Sequence, residues 1–172
     1  FCLLIVVNGS NFIDGLNGLI LGYYSTIITV ILYLGLAENF YNLESFLINY
    51  LIVLIYLLIF NFMNKLYLGD SGSYFLGLVS GVLLIILYNN VKNISPFFIV
   101  LLLWYPCFEN LFSILRKYKF SSSPLKADNK HFHQLLFNYL KKRFNYSNLF
   151  ANNLSSILIN LFNIIIFFIA SK

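Results

Sequence analysis

Apolar residues dominate this chain in runs near the length of a bilayer crossing, at Leu16–Leu36, Phe46–Phe62, Tyr74–Tyr88, Pro96–Leu115 and Leu149–Ala170. A helix needs about 20 such residues to cross the hydrocarbon core, so each run predicts a transmembrane helix. The opening stretch, FCLLIVV, is too short to cross alone. The third run is also short, but Gly72 and Gly77 allow its helix to begin earlier, packed within protein, because irregular backbone at membrane depth survives only when buried. The pattern predicts an all-α, polytopic transmembrane helix bundle with about five full spans plus a partial one. Residues 1–172 then form a single integral membrane domain.

The connectors read NGSNFIDG, ENFYNLE, NKLYLGDSG, NNVKNIS and a long polar stretch from Arg116 to about Asn148. Alternation of sides puts the first, third and fifth together, with ENFYNLE, NNVKNIS and the C-terminus opposite. Lys65, Arg116, Lys117, Lys119, Lys126, Lys130, Lys141, Lys142 and Arg143 fall on the first side, against only Lys92 and Lys172 on the other. The excess of basic residues marks the first side as cytoplasmic. Ordinary topological bias and attraction to anionic headgroups would also account for most of these lysines.

Composition agrees with the pattern: 60% of residues are hydrophobic, 10% are charged and the mean hydropathy is +0.81. A soluble domain carries a far more charged surface. The net charge of +5 is therefore topological and not a nucleic-acid signature. Cys2 and Cys107 both lie in apolar runs, where a thiol behaves as a small hydrophobe, so neither a disulfide nor a zinc site is expected. The chain begins with Phe1 inside an apolar stretch, which reads as a C-terminal portion of a longer protein, and no cleavable signal peptide is recognisable.

Three polar clusters on the basic side carry the candidate chemistry. Asn8, Asn11 and Asp14, at three-residue spacing, share one face of a helical turn and are followed by Gly15 and Gly18. A carboxylate at a membrane boundary needs a wet cavity or a partner, although Asn11 or Asp14 could equally cap the next helix. Asp70 stands between Gly69 and Gly72 beside Ser71 and Ser73, where small neighbours let backbone and carboxylate approach a ligand. Hard oxygen ligands of this kind suit Mg²⁺ with bridging phosphates, but capping is again the simpler alternative. The string is not a GxxxxGK[ST] phosphate loop, since no Lys follows the last glycine. The third cluster, SSSPLKADNKHFHQLL, holds the two histidines, His131 and His133, beside Asp128 and Lys130. Zinc would need more ligands at suitable spacing, whereas Lys, His and Ser donors suit a phosphate, and a solvated amphipathic loop is the plain alternative.

NGSNFIDGLNGL, LYLGDSGSYFLG and SPLKADNKHFHQL together resemble three cytoplasmic motifs of the polyprenyl-phosphate N-acetylhexosamine-1-phosphate transferases, in order and in sidedness. In the first, Asn8, Asn11, Asp14, Gly15, Gly18 and Leu19 fit, while Asn17 stands where an Asp is usual. Gly69, Asp70, Gly72 and Ser73 fit the second, and Ser123, Pro124, Asp128, His131 and His133 the third. That third motif is similar to the branch acting on simple UDP-amino sugars, not to the phospho-MurNAc-pentapeptide branch with its run of three histidines. Gln134 occupies a place where the amino-sugar branch often has a further His. Pro106 and Glu109 resemble a P-x-x-D/E pattern of the family, although an intramembrane Glu can also serve within the bundle.

The resemblance implies a bacterial inner-membrane enzyme with a cytoplasmic active face, of which this chain is the C-terminal half of about ten spans. An upstream aspartate-rich motif is missing, so the chain alone is expected to be inactive. The implied reaction passes sugar 1-phosphate from a UDP-N-acetylhexosamine to undecaprenyl phosphate and releases UMP, initiating a lipid-linked glycan of the cell envelope such as lipopolysaccharide. The implied cofactor is Mg²⁺, with Mn²⁺ as a substitute, held by Asp70. Asp14, Asp70, His131 and His133 are the implied catalytic residues. Asn8, Asn11, Gly72, Ser73, Asp128 and Lys130 are the implied substrate contacts. The bilayer and a second copy in a homodimer are the other partners considered, and no nucleic acid is expected. A transporter or channel is the competing class, and it would spread polar residues through the span centres.

Overall fold

The computed structural model describes residues 2–38, 40–91, 94–119 and 130–171. Those residues form helices α1 (Cys2–Ile13), α2 (Leu19–Tyr33), α3 (Tyr41–Phe62), α4 (Gly69–Asn90), α5 (Pro96–Leu102), α6 (Trp104–Lys119), α7 (Phe132–Phe144) and α8 (Asn148–Ala170), with no strand among them. The fold is the expected all-helical membrane bundle. Three helices are long and apolar enough to cross a membrane, Asn42–Phe62, Gly69–Asn90 and Asn148–Ala170, and the bent pair α5 and α6 brings the number to as many as four.

Three boundaries differ from the sequence pattern. The run Leu16–Leu36 yields a helix of only 15 residues, about 22 Å at 1.5 Å per residue, short of a full crossing. Its burial explains this: Leu19, Leu21, Tyr23, Tyr24 and Ile27 are wholly enclosed, so α2 is the core of the bundle and its ends meet protein before lipid. The run Tyr74–Tyr88 extends back to Gly69, so that the five residues of the GDSGS motif form the start of the helix itself. The polar stretch Arg116–Asn148 is not one loop, because α6 continues to Lys119 and α7 occupies Phe132–Phe144.

The run Pro96–Leu115 is broken, α5 and α6 meeting at 68°. Pro106 supplies the cause. It has no N–H to give to the carbonyl of Leu102, four residues back, and its ring crowds that carbonyl. Backbone groups released at membrane depth must find partners, and one phenol serves two of them. The Tyr23 hydroxyl donates to the Leu102 carbonyl at 2.8 Å and accepts the Tyr105 N–H at 3.4 Å. The indole N–H of Trp104 donates to Asn163 of α8 at 2.9 Å, which pins the start of α6.

Packing is pairwise around this core: α1 lies against α4 and α6, α2 against α3 and α8, and α7 against α8. The α1–α6 contact depends on Gly9, where a Cβ would stand 2.2 Å from the Pro106 carbonyl oxygen. Only a glycine lets the two backbones approach so closely.

Candidate functional site

Four turns gather at one end of the bundle: α1 to α2, α3 to α4, the entry to α7, and α7 to α8. Asparagines fasten the first two to one another and to α8. Asn152 of α8 accepts the backbone N–H of Asn17 at 2.7 Å, and the Asn17 amide donates to Asn64 at 3.1 Å. Asn61 accepts the Gly18 N–H and donates to the Leu66 carbonyl at 2.7 Å. Asn160 donates to the carbonyls of Gly18 and Leu19 at 3.1 and 3.3 Å, and Asn153 donates to that of Phe62 at 3.0 Å. Uncharged amides can satisfy both donors and acceptors of buried turns without placing a net charge inside. Asn17, which replaces the Asp usual in the resembling motif, is buried in this network.

Within that frame the first two motifs meet. Asn11, in the last turn of α1, donates to the Tyr74 hydroxyl at 3.1 Å and accepts from Ser73 at 2.9 Å. The Ser73 hydroxyl also lies 3.0 Å from the Asp70 carbonyl, so it ties α1 to the first turn of α4. Ser73 is wholly enclosed, while Asp70 itself is exposed. Neither α2 nor α4 carries a side-chain cap at its start, so Asp14 and Asp70 are not spent on capping. Asp14 is half-buried in the turn after α1. Burial, and then repulsion from Asp70, pushes its carboxyl up from 3.8 to about 6. Two acidic groups from segments 56 residues apart therefore repel one another within one field.

The third motif arrives on α7. His131 precedes the helix with its side chain buried, and its Nδ1 lies 2.9 Å from Oε2 of Glu109. The other oxygen of Glu109 accepts the Phe132 N–H at 2.9 Å, and Gln134 accepts the His131 N–H at 3.3 Å. A carboxylate at a helix N-terminus satisfies an orphan donor and complements the helix dipole. His131 stacks between Phe12, with ring centroids 5.3 Å apart, and His133, at 5.6 Å. His133 is completely buried, and neither ring nitrogen has a hydrogen-bond partner among the described residues. A Cβ on Gly15 would stand 2.3 Å from its Nε2, so this glycine lets the imidazole reach the turn carrying Asp14. Burial lowers the His133 imidazole from 6.5 to about 4, reinforced by His131 and opposed by Glu109.

The structure thus brings Asn11, Asp14, Asp70, Ser73, His131 and His133 to one end of the bundle. Asn8 sits one helical turn before Asn11 and is exposed, a Cβ on Gly72 would stand 3.1 Å from the Leu68 side chain, and Lys130 is exposed just before His131. Asp128, with Ser123 and Pro124, lies outside the described residues. Among the described residues no three His, Cys, Asp or Glu side chains gather in a metal-binding group. Beside the imidazoles an apolar cavity of about 490 Å³ opens between α6, α7 and α8, lined in part by Trp104, Phe108, Phe132 and Leu136.

Sequence reasoning left out what holds these groups. The Asn61/Asn64 and Asn152/Asn153 pairs, at the polar ends of apolar runs, were the available signal, since amides there are costly unless they bond backbone.

The family model for glycosyl transferase family 4 matches residues 1–88, which take in α1 to α4 with both Asp14 and Asp70. The chain belongs to glycosyl transferase family 4. It is 30% identical over 134 residues to the probable undecaprenyl-phosphate N-acetylglucosaminyl 1-phosphate transferase of Bacillus subtilis, covering 76% of this chain and 37% of that protein. It is 27% identical over 152 residues to the decaprenyl-phosphate N-acetylglucosaminephosphotransferase of Mycolicibacterium smegmatis, again over 76% of this chain and 37% of the relative. This family 4 chain therefore spans little more than a third of the length of either relative. No solved structure matches it.

Proposed function

We propose that this family 4 chain forms part of an enzyme that transfers N-acetylhexosamine 1-phosphate from a UDP-sugar to a polyprenyl phosphate at the cytoplasmic face of a bacterial inner membrane. The observation that carries the reading is the meeting of Asp14 and Asp70 beside His131 and His133. In the reaction an oxygen of the lipid phosphate attacks the phosphorus bearing the sugar. The bond from that phosphorus to the bridging oxygen breaks, and UMP departs with the electron pair. Both reactants are anions, so the barrier is largely one of charge and approach.

The residues present fit a divalent cation. Mg²⁺ is commonly held by one or two carboxylates together with substrate phosphates, and a carboxyl pushed up by burial and by a neighbouring carboxylate, as Asp14 is by Asp70, ionises more readily beside positive charge. Asp70 would hold the ion with Asp14 beside it, and the ion would neutralise the diphosphate. Asn11 and Ser73 fix the separation of the two acidic segments. His131 and Lys130 face the same end, where they would bind phosphate oxygens. The adjoining apolar cavity suits the first isoprene units of the acceptor. Names of the two relatives, each of which specifies a polyprenyl phosphate and N-acetylglucosamine, support the substrate classes.

The test is a chimera in which this chain replaces the matching part of the Bacillus subtilis relative, assayed in membranes for transfer of labelled sugar phosphate from UDP-N-acetylglucosamine to undecaprenyl phosphate. The chimera should be active, the chain alone inactive, and Asp70→Asn should lower kcat by about 100-fold or more without reducing insertion. An active chimera whose rate is unchanged by Asp70→Asn overturns the site assignment, and a stably inserted but inactive chimera overturns the function.

A further inference from the structure

We propose that Glu109 is the positioning residue of the imidazole pair: it fixes His131 in the Nδ1–H tautomer and docks α7 onto the motif turn, leaving Nε2 as the atom through which His131 acts. For its effect on rate this inference rests on the transferase reading above. Its geometric content stands alone.

A carboxylate only accepts, so with Glu109 as a carboxylate the 2.9 Å contact between its Oε2 and His131 Nδ1 calls for a hydrogen on Nδ1. The second oxygen is occupied by the Phe132 N–H at 2.9 Å, which holds the carboxylate plane and orients the ring. Glu109 is 1% exposed, so no solvent competes for either contact. Imidazole in water prefers the Nε2–H tautomer, and a second partner that reverses this choice is how proteins commonly set which nitrogen acts.

The surroundings show why the side chain reaches this point. Gly9 admits the Pro106 backbone, Pro106 bends the span, and the bend brings α6 across α1 so that Glu109, one turn on, reaches the start of α7. From His131 the order passes by ring stacking to His133, and His133 rests on Gly15 in the turn carrying Asp14. One buried carboxylate thereby couples the bent span to the turn of the first motif.

Glu109→Gln separates positioning from capping. If the Gln oxygen keeps the Phe132 N–H, its amide nitrogen faces Nδ1 and donates to it, so the proton on His131 must move to Nε2. The chain has two histidines, so ¹⁵N-histidine labelling in nanodiscs resolves both rings, with His133→Gln assigning them. The parent should show Nδ1–H at His131 and the Glu109→Gln variant Nε2–H, with amide protection of α7 retained. In the chimera the same variant should lower kcat about 10- to 100-fold with KM for the UDP-sugar nearly unchanged, and Glu109→Asp should restore part of the loss. A parent with the proton on Nε2, or ring shifts untouched by Glu109→Gln, overturns the proposal. So does an inverted tautomer that leaves kcat unchanged. If Glu109→Gln does not insert, the parent spectrum and Glu109→Asp decide instead. An inactive parent chimera would sink the transferase reading, while the spectra would still decide the tautomer.

Discussion

His133 is where chemistry and burial are most opposed. An imidazole with no exposure and no hydrogen-bond partner among the described residues stays neutral, and burial holds it near 4 against an unfolded value of 6.5. Between those values the unfolded chain binds the proton first, so its contribution to stability is present above 6.5 and lost as pH falls through 4. In the parent, protection of α7 amides in detergent should decline as pH is lowered from 6.5 toward 4, and His133→Gln should flatten that decline. Asp14 works in the opposite sense, because a raised carboxyl loses stability as pH rises through about 6, so the two must be read with Asp14→Asn beside them. The identities of Asp14, Asp70, His131 and His133 were legible in the sequence, because an ionisable group beside an apolar run needs a reason. Their holders were not. No spacing rule links Glu109 to His131, 22 residues on, and Gly15 could be read as a turn but not as the floor beneath an imidazole.

At the scale of the element, apolar run length predicted which segments are helical but not how deeply each is enclosed. Lipid and protein interiors are equally apolar, so a core helix such as α2 and a lipid-facing one such as α3 carry the same hydrophobic signal. Pro106 was in view as part of a motif, yet whether a proline kinks a span depends on a neighbour able to satisfy the released groups, and that neighbour, Tyr23, lies 79 residues away from Leu102. Tyr23→Phe should leave the Leu102 carbonyl and the Tyr105 N–H without this partner and lower stability by about 1–3 kcal/mol. Steric trapping or urea unfolding in bicelles would measure it, with unchanged stability counting against the role. α7 escaped notice because its polar, basic sequence resembles a loop until its face against α8 is known.

For the molecule as a whole, alternation of connectors puts the three motifs on one side, and the structure draws the first two to one end through the asparagine network and the histidines of the third to that end through Glu109. Sidedness gives the broadest prediction. In a Cys2→Ser, Cys107→Ser background, Ser71→Cys and Tyr146→Cys should react with an impermeant maleimide from the same face of the membrane, and Glu38→Cys from the other. Labelling of positions 71 and 146 from opposite faces would dismantle the site. The count of spans was less legible, since α1, α2 and the bent pair fall short of, or depart from, a straight crossing.

The doubly used phenol of Tyr23 has an implication for permeability. A kink in a span is ordinarily a place where water lodges, and a file of water through a bilayer conducts protons. Here one side chain answers both the carbonyl and the amide of the kink, so those two groups require no water. Bending therefore need not hydrate these two groups, and a span can change direction at this joint while its released backbone stays dry.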